Sequence, residues 1–233
     1  MNKFLSIAAL ALGSLFINSC ARNPVSGKRQ LVLMSEEQEL AMGKEADPQI
    51  IAQYGLYKDS LLQNFIATKG KQMAAISHRS NINYEFRIVD SDILNAFAIP
   101  GGFVYFTRGI MAYFNNEAEF AGVLGHEIGH ITARHSVTQQ RNALLGQIGL
   151  IATMVIKPQL AQFAEQASQG LGLLFLKFSR DAERQADQLG VEYSSKIGYN
   201  AHEMAEFFKT LERKSAESGA GELPPFLSTH PNP

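Results

Sequence analysis

Two histidines set one helical turn apart are the most chemically informative feature of the sequence. His126 and His130 are separated by three residues, and Glu127 directly follows the first of them. On an α-helix, side chains four residues apart lie on the same face, so both imidazoles can reach one metal ion. A neighbouring carboxylate can accept a proton from water that the ion polarises. The spacing therefore predicts a zinc centre with Glu127 as its catalytic base.

A catalytic zinc site needs a third protein ligand and an open position. His135 lies five residues after His130 with no intervening glycine, whereas the motif with a third histidine places it six residues on, beyond a glycine. We therefore interpret His135 as a histidine at the helix end. Glu183, on a predicted downstream helix, is the preferred third ligand. Asp187 lies one turn further along that face, where it can accept the second ring N–H of a ligand histidine.

Helices are the main elements expected to position these residues. A capping box at Ser35 opens a helix that should stop before Pro48. Asn116 is expected to cap the helix that carries the histidine pair. The other predicted helices span residues 60–78, 172–196 and 202–218.

Short segments between residues 83 and 106 have the alternating or apolar pattern of β-strands. A Pro-Gly-Gly turn at residues 100–102 separates the last two of them. Because these are the only convincing strands, we expect one small antiparallel sheet. The predicted fold class is α+β, mainly α-helical. The predicted strands span residues 83–89, 95–99 and 103–106.

The stretch from Leu144 to Ile156 is apolar enough to raise the question of a membrane segment. Gln147 interrupts it, and its 13 residues fall short of the roughly 20 that a spanning helix needs. Two interpretations remain, a core helix and a helix lying on a membrane surface, and we favour the first.

The amino terminus has the layout of a secretory signal peptide. Lys3 precedes an apolar run over residues 4–17, and Ser19 stands before the only cysteine, Cys20. The residues leading to Cys20 resemble a bacterial lipobox, which predicts acylation of that cysteine. The alternative is an ordinary signal peptide with an incidental cysteine, although a lone exported thiol is otherwise a liability.

Composition limits the possible classes of protein. The 233 residues include 21 Lys and Arg against 22 Asp and Glu, and no basic stripe stands out, which argues against nucleic-acid binding. A single cysteine excludes disulfides within the monomer. The expected organisation is a signal peptide over residues 1–19, a polar tether over 20–34 and one metal-binding domain over 35–233.

Four motifs together resemble the HtpX/BepA-like zinc metalloproteases, and they occur in that family's order. The resemblance covers nearly the whole chain after the signal peptide. The tether at residues 23–27 is similar to that of the family's lipoprotein members. The four motifs span residues 95–102, 126–130, 179–187 and 228–231.

The resemblance implies a zincin-type domain with one zinc per chain and an active-site HExxH helix. Zinc would be held by two histidines and a downstream glutamate, with Glu127 as base. The family's edge strand, which pairs with extended polypeptide substrates, corresponds to Asn95, Ala96, Phe97 and Ala98. The chain lacks the membrane-spanning helices of the HtpX branch, which favours a periplasm-facing lipoprotein. Family members usually continue further, so the chain would be truncated after its last residue.

The expected function is that of a zinc endopeptidase of the bacterial envelope, acting on misfolded or misassembled envelope proteins. Ala21 directly after the predicted lipid-bearing cysteine favours the outer membrane, and the outer-membrane assembly machinery is a further expected partner. A rival interpretation is an assembly factor or chaperone that uses the fold as a binding scaffold, although an intact Glu127 favours catalysis.

His230 has several possible roles. It lies in a predicted Pro-rich loop, where it could donate to the oxyanion, cap the zinc or have no role. A structural zinc site closed by His230 or His135 is a further rival, because structural sites have four protein ligands.

Overall fold

Helices dominate the computed structural model, which describes residues 20–156, 177–217 and 225–230. The predicted signal peptide lies outside these residues. The mainly helical α+β class is confirmed. The strands of the described chain are β1 (Cys20–Arg22), β2 (Arg29–Leu31), β3 (Glu85–Val89), β4 (Ala96–Ile99) and β5 (Phe103–Thr107). Its helices are α1 (Glu36–Tyr54), α2 (Ser60–Ala75), α3 (Arg108–Met111), α4 (Glu117–Thr132), α5 (His135–Ile156), α6 (Arg180–Lys196), α7 (His202–Glu217) and α8 (Pro225–Thr229).

The three-stranded sheet has the order β3-β5-β4 and is mixed. β4 and β5 are antiparallel, but β3 and β5 are parallel, so the prediction of an antiparallel sheet is wrong for β3. The loop after β3 is held across the end of β5, because the amides of Gly109 and Thr107 donate to the carbonyls of Ser91 and Asn95 at 3.0 Å each. The chain therefore reaches the far side of β5 before β4 begins.

The turn between β4 and β5 depends on two glycines. Gly101 and Gly102 have φ values of 88° and 98°, a conformation that glycine adopts without steric cost. A Cβ on Gly102 would also lie 2.4 Å from the carbonyl oxygen of Asn83. This tight hairpin leaves β4 at the edge of the sheet, where it packs against α4.

The first long helix does not stop where the sequence predicts. α1 runs through Pro48 to Tyr54, although proline removes one intrahelical hydrogen bond. Pro48 and Lys44 are both exposed, so water can reach the carbonyl that loses its partner. Beyond the proline, Ile50 is fully buried in an apolar cluster with Phe97. That burial offsets the cost of the proline, and the predicted stop is wrong.

Helix α4 occupies the centre of the fold. Its side chains from Glu119 to Thr132 are all buried, and it packs against α6, α7 and β4. The predicted cap is confirmed, because Asn116 Oδ1 accepts the backbone N–H groups of Ala118 and Glu119 at 2.9 Å. The histidine pair thus projects from a fixed, central helix.

Glycines set the distance between α4 and α6. A Cβ on Gly125 would lie 3.0 Å from the Cα of Gly190, and a Cβ on Gly190 would lie 3.0 Å from the backbone nitrogen of His126. Any larger residue would contact backbone instead of a movable side chain. The close approach brings the helix that carries Glu183 against the helix that carries the histidines.

Residues 20–34, predicted as a tether, contain a β-hairpin of β1 and β2 that packs against the domain. Asn23 is buried, and its side-chain amide donates to the carbonyl oxygen of Ala133 at 3.0 Å, next to the end of α4. Arg141 of α5 donates to the carbonyl oxygen of Leu31 at 2.9 Å. The segment is therefore attached both to the end of α4 and to α5.

The apolar stretch predicted at residues 144–156 is helical and belongs to α5. Leu144 and Leu145 are each 45% exposed, so the favoured core interpretation is wrong at these two positions. The side chains of residues 147–156 lie outside the described ones. None of the helices that the structure describes is long and apolar enough to cross a membrane.

Candidate metal centre

Four buried side chains converge at the junction of α4, α6 and the end of α8. They are His126, His130, Glu183 and His230, and one candidate ligand atom from each lies within 4.8 Å of all the others. The Nε2 atom of His126 lies 2.9 Å from His130 Nε2 and 3.1 Å from His230 Nδ1. Glu183 Oε2 lies 3.4 Å from His126 Nε2 and 3.2 Å from His230 Nδ1. The structure thus brings together all three sequence-predicted ligands and adds His230.

These separations fit a tetrahedral metal ion. Zinc–nitrogen distances of about 2.0–2.1 Å place neighbouring ligand atoms roughly 3.3 Å apart, close to the separations above. Oε1 of Glu183 is buried without a hydrogen-bond partner among the described residues, and it lies 3.6 Å from His130 Nε2. A buried acceptor without a donor is costly, and a cation bound between these groups would satisfy it.

Electrostatics at the cluster favour a positive charge beside Glu183. Burial acts against charge on His126, but hydrogen bonds to Asp187 and Glu183 outweigh it and raise the pKa of His126 to about 10. Burial acts against charge on Glu183 as well, yet hydrogen bonds from His126 and His230 lower its pKa to about 2. Burial and the charge on His126 lower the pKa of His130 well below its usual value. The surroundings therefore stabilise a cation near the carboxylate.

Glu127 lies beside the ligand cluster and is itself fully buried. Neither of its carboxylate oxygens has a hydrogen-bond partner within the described chain, and Oε1 lies 3.5 Å from His230 Nε2. Burial raises the pKa of Glu127, while positive charge on His230 and His126 acts in the opposite direction. An unpaired buried carboxylate next to a metal cluster is available to accept a proton.

The two candidate ligand histidines of α4 have different hydrogen-bond partners on the side away from the cluster. Asp187 Oδ1 lies 2.9 Å from His126 Nδ1, as the helical spacing predicts. The Nδ1 atom of His130 lies 3.0 Å from Nδ1 of His135, whose Nε2 lies 3.0 Å from Gln185 Oε1. Burial lowers the pKa of His135. The sequence interpretation of His135 as a helix-end residue missed this contact with a ligand.

The reason for that omission is local backbone geometry. Arg134, between α4 and α5, has a φ of 57°, the only positive value among non-glycine residues of the described chain. This left-handed residue turns the chain so that His135 comes back against His130. Phe178 was also missed; its ring stacks on His130 with 4.1 Å between centroids. No sequence spacing signals either contact.

His230 follows the short helix α8, where the sequence predicts a loop. Phe226 of α8 is fully buried, and its amide donates to the carbonyl oxygen of Leu94 at 3.1 Å. Leu94 lies two residues before the start of β4 at Ala96. The segment that carries His230 is therefore attached to the start of the edge strand.

The predicted substrate strand, Asn95 to Ala98, reaches the side of α4 that bears Glu127. The amide of Thr107 donates to the carbonyl of Asn95, and backbone groups alternate in direction along an antiparallel strand. Those of Phe97 therefore face β5, while those of Ala96 and Ala98 face away from it. The backbone amide of Ala98 lies close enough to Glu127 to act to lower its pKa, but it does not have hydrogen-bond geometry with either carboxylate oxygen.

A cavity of about 720 Å³ opens from the metal cluster between α6, α7 and α8. Glu183, Asp187 and His230 form its polar end. The rest of the wall is mostly apolar and includes Val191, Met204, Phe208 and Leu227. Space for part of a ligand thus adjoins the cluster.

Comparison with known proteins agrees with this arrangement. A family model described as peptidase family M48 matches residues 60–233. A beta-barrel assembly-enhancing protease of Yersinia pestis is 32% identical over 212 residues, which cover 86% of this chain and 42% of that protein. Its Escherichia coli (strain K12) counterpart is 30% identical over 240 residues, 97% of this chain and 48% of that protein. The mitochondrial metalloendopeptidase OMA1 of Arabidopsis thaliana is 30% identical over 203 residues, 84% and 40% of the two chains.

The chain spans less than half the length of these relatives. The family model nevertheless matches residues 60–233, and this range contains the histidine pair and the downstream glutamate of the candidate metal centre. The predicted relationship to the HtpX/BepA-like metalloproteases is confirmed: the chain belongs to peptidase family M48.

Proposed function

We propose that the chain is a zinc-dependent endopeptidase of the bacterial envelope that hydrolyses misfolded or misassembled envelope proteins. One observation carries the proposal: the buried carboxylate of Glu127, which has no hydrogen-bond partner among the described residues, lies next to four converging side chains that could bind a metal ion. Membership of a peptidase family supports the same chemistry.

Zinc is the ion that this ligand set favours. Imidazole nitrogens and one carboxylate oxygen at tetrahedral spacing suit it, whereas magnesium and calcium prefer sites built from oxygen atoms. His126, His130 and Glu183 would be the permanent ligands of one zinc per chain. When bound, the ion supplies a Lewis acid that polarises a peptide carbonyl and makes water easier to deprotonate.

The residues of the chain perform the proton transfers. Glu127 accepts the proton of the attacking water and passes it to the departing amine nitrogen. Asp187 accepts the N–H of His126 at 2.9 Å and so fixes the tautomer in which Nε2 is free for the metal. Burial of Glu127 keeps bulk water away from this carboxylate and strengthens the interactions around it.

His230 is proposed as a cap on the centre. Its Nδ1 atom lies with the ligand atoms of the other three residues, and its Nε2 lies 3.5 Å from Glu127. A catalytic zinc keeps its fourth position for water or substrate, so His230 must withdraw before cleavage. This geometry favours the capping role over that of an oxyanion donor.

Extended polypeptides are the proposed substrates. Ala96 and Ala98 direct backbone groups away from β5, so a substrate strand could pair along that edge by main-chain hydrogen bonds. The Asn95 to Ala98 segment leads past Glu127, which would place a scissile bond beside the base. Because α8 is attached to Leu94, movement of the cap and access to this edge would be coupled.

The proposed location is the outer membrane, with the domain facing the periplasm. Lipidation at Cys20, where β1 begins, would anchor the chain, and the packing of the hairpin against α4 and α5 would hold the domain close to the bilayer. Diacylglycerol together with an amide-linked chain is sufficient for stable anchoring.

A second candidate function is assistance to outer-membrane protein assembly, with the outer-membrane assembly machinery as partner. The names of the relatives from Yersinia pestis and Escherichia coli, beta-barrel assembly-enhancing protease, favour it. A cell in which the Glu127→Gln chain replaces the wild type separates the two functions. Normal levels of β-barrel proteins in that cell would indicate a scaffold, whereas loss of them would indicate that cleavage is required.

Casein cleavage by purified, zinc-loaded chain tests the proposal directly. We expect slow cleavage by wild type, faster cleavage by His230→Ala and cleavage by Glu127→Gln that is at least about 10²-fold slower than wild type. Cleavage by Glu127→Gln at a rate close to that of wild type would contradict the assignment of the base. If His230→Ala keeps zinc but neither it nor wild type cleaves casein or its own chain, a structural zinc site is the better description.

A further inference from the structure

On the side away from the metal cluster, His130 is hydrogen-bonded to His135, and His135 is hydrogen-bonded to Gln185. Metal binding by His130 requires that these hydrogen bonds run in one direction. His130 presents Nε2 to the ligand cluster, 2.9 Å from His126 Nε2 and 3.6 Å from Glu183 Oε1. A neutral imidazole that binds metal through Nε2 carries its proton on Nδ1. That N–H must therefore find an acceptor on the side of His130 away from the cluster.

His135 is the group in the acceptor position. Its Nδ1 lies 3.0 Å from His130 Nδ1, and a contact between two ring nitrogens needs one donor and one acceptor. With His130 as donor, His135 accepts at Nδ1 and carries its own proton on Nε2. The Oε1 atom of Gln185 lies 3.0 Å from that Nε2 and can accept the proton's hydrogen bond.

With its Oε1 facing His135, Gln185 is compatible with only one direction of the hydrogen bonds that join it to His135 and His130. If Gln185 presented its NH₂ group instead, His135 would accept at Nε2 and donate at Nδ1. His130 would then have to accept at Nδ1 and carry its proton on Nε2, the atom required for the metal. Only one orientation of the three groups is compatible with His130 as a ligand.

We propose that His135 and Gln185 are positioning residues that hold His130 in its metal-binding tautomer. The tautomer of His126 is fixed in the same way by a carboxylate, Asp187, at 2.9 Å. His130 is positioned by two neutral groups, so these positioning residues add no charge to the metal site. The proposal rests on the proposed metal site, and outer partners of this kind typically change metal affinity by about 10- to 100-fold.

Three substitutions of Gln185 test the direction of the hydrogen bonds between His130, His135 and Gln185. Gln185 is only half-buried, on α6, so changes there should leave the fold intact. Gln185→Glu offers acceptors only, Gln185→Met offers neither donor nor acceptor, and Gln185→Lys offers donors only. Zinc affinity is measured by chelator competition on the full chain. It should be highest for Gln185→Glu, lower for Gln185→Met and lowest for Gln185→Lys, which should bind zinc at least about tenfold more weakly than wild type.

A matched control separates tautomer from charge. Gln188 is exposed on the same helix, and Gln188→Lys makes the same change in charge without a hydrogen bond to His135. We expect its zinc affinity to stay within about twofold of wild type. The absorption spectrum of the cobalt-loaded protein should change in Gln185→Lys and not in Gln188→Lys, because only the former alters a ligand.

Substitution of His135 itself completes the test. His135→Phe removes the acceptor and keeps a ring beside Phe178, whereas His135→Asn restores an acceptor at the position of Nδ1. The phenylalanine variant should bind zinc about 10- to 100-fold more weakly, and the asparagine variant should recover most of the loss. Equal zinc affinity in wild type, Gln185→Lys and a folded His135→Phe would overturn the inference alone. Failure of wild type to bind zinc would overturn the proposed metal site together with it.

Discussion

Two buried groups of ionisable side chains lie along helix α4, one around its histidine pair and one at its carboxyl end. They differ in how their hydrogen-bond acceptors are satisfied. The Glu39 cluster consists of Glu39, Arg79 and Arg134. Its carboxylate accepts from Arg79 at 2.8 and 3.2 Å and from Arg134 at 2.9 Å. The metal cluster consists of His126, His130, Glu183 and His230, with Glu127 beside it. Three carboxylate oxygens of Glu127 and Glu183 have no hydrogen-bond partner among the described residues.

The contrast separates a structural role from a chemical one. Arg79 also donates to the carbonyl of Ile131, and Arg134 donates to that of Met34, so the Glu39 cluster ties the end of α4 to the chain before α1. Of its buried polar side-chain atoms, only Nε of Arg79 has no hydrogen-bond partner among the described residues. The metal cluster instead places carboxylate oxygens that lack hydrogen-bond partners among the described residues next to three imidazoles whose nitrogen atoms converge on one point. Burial of charge is shared by both groups, and only the unpaired acceptors indicate a bound cation.

The largest effect expected is on catalysis, from Glu127→Gln. Loss of a general base lowers the rate by about 10²- to 10⁴-fold. Thermal stability should be unchanged or higher, because a buried carboxylate without a partner costs free energy that the neutral amide avoids. Casein cleavage and differential scanning calorimetry on the zinc-loaded protein measure the two effects. A large loss of stability would mean that Glu127 is a structural residue like Glu39.

The same substitution at Glu39 should have the opposite outcome. Glu39→Gln removes the counter-charge of Arg134 and leaves Arg79 with only the partly exposed Glu36, at 3.1 Å. This change should cost about 3 kcal/mol of unfolding free energy. Denaturant unfolding of the zinc-loaded protein measures this loss. Activity and zinc content of the fraction that remains folded should match wild type. A stable but inactive Glu39→Gln protein would place Glu39 in the functional site and remove the distinction between the clusters.

A smaller effect is expected from the helix contact that brings Glu183 to the histidines. In Gly190→Ala, the new Cβ would lie 3.0 Å from the backbone nitrogen of His126, so α4 and α6 must separate. Overpacking of this kind costs about 1–3 kcal/mol, and zinc affinity should fall with stability. Gly146→Ala is the matched control, because nothing lies within 4 Å of its added Cβ. Unchanged zinc affinity in Gly190→Ala would mean that helix spacing does not set the ligand geometry.

The smallest effect concerns Asp47, a carboxylate outside both clusters that is paired with an arginine but only partly buried. Asp47 accepts from Arg87 at 2.7 Å through both oxygens and from Tyr105 at 2.8 Å. Burial acts to raise the pKa of Asp47, but the bonds from Arg87 and Tyr105 outweigh it and lower the pKa. The pair therefore contributes stability above the unfolded-state pKa of about 3.9, and this contribution is lost as pH falls through the folded-state value.

The variant Asp47→Asn isolates that contribution. It should be less stable than wild type at pH 7, and the difference should shrink as the pH falls below about 4. Urea unfolding of both proteins between pH 7 and pH 3 measures it. A difference that does not depend on pH would mean that the pair acts through packing and not through charge.

Local sequence signals predicted the parts of the site that lie on regular helices. The i, i+4 spacing of His126 and His130, and of Glu183 and Asp187, is a property of one helix and can be read without the fold. The cap at Asn116 is local in the same sense. These residues lie together in the structure as the spacing indicated.

The remaining features depend on contacts between distant segments. Arg134, the left-handed residue that returns His135 to His130, donates its side chain to Glu39, which lies 95 residues earlier. The parallel pairing of β3 with β5 depends on how the intervening loop crosses the sheet. The continuation of α1 through Pro48 depends on tertiary burial of Ile50. No short-range pattern encodes any of these.

X-ray absorption spectroscopy at the zinc edge, with total metal analysis, tests the central claim most directly. The account predicts one zinc per chain, bound by three imidazoles and one carboxylate in wild type and by two imidazoles in His230→Ala. His126→Ala, measured alongside, should lose most of the metal. Substoichiometric zinc in wild type, or an imidazole signal that both substitutions leave unchanged, would contradict the assignment of the metal centre.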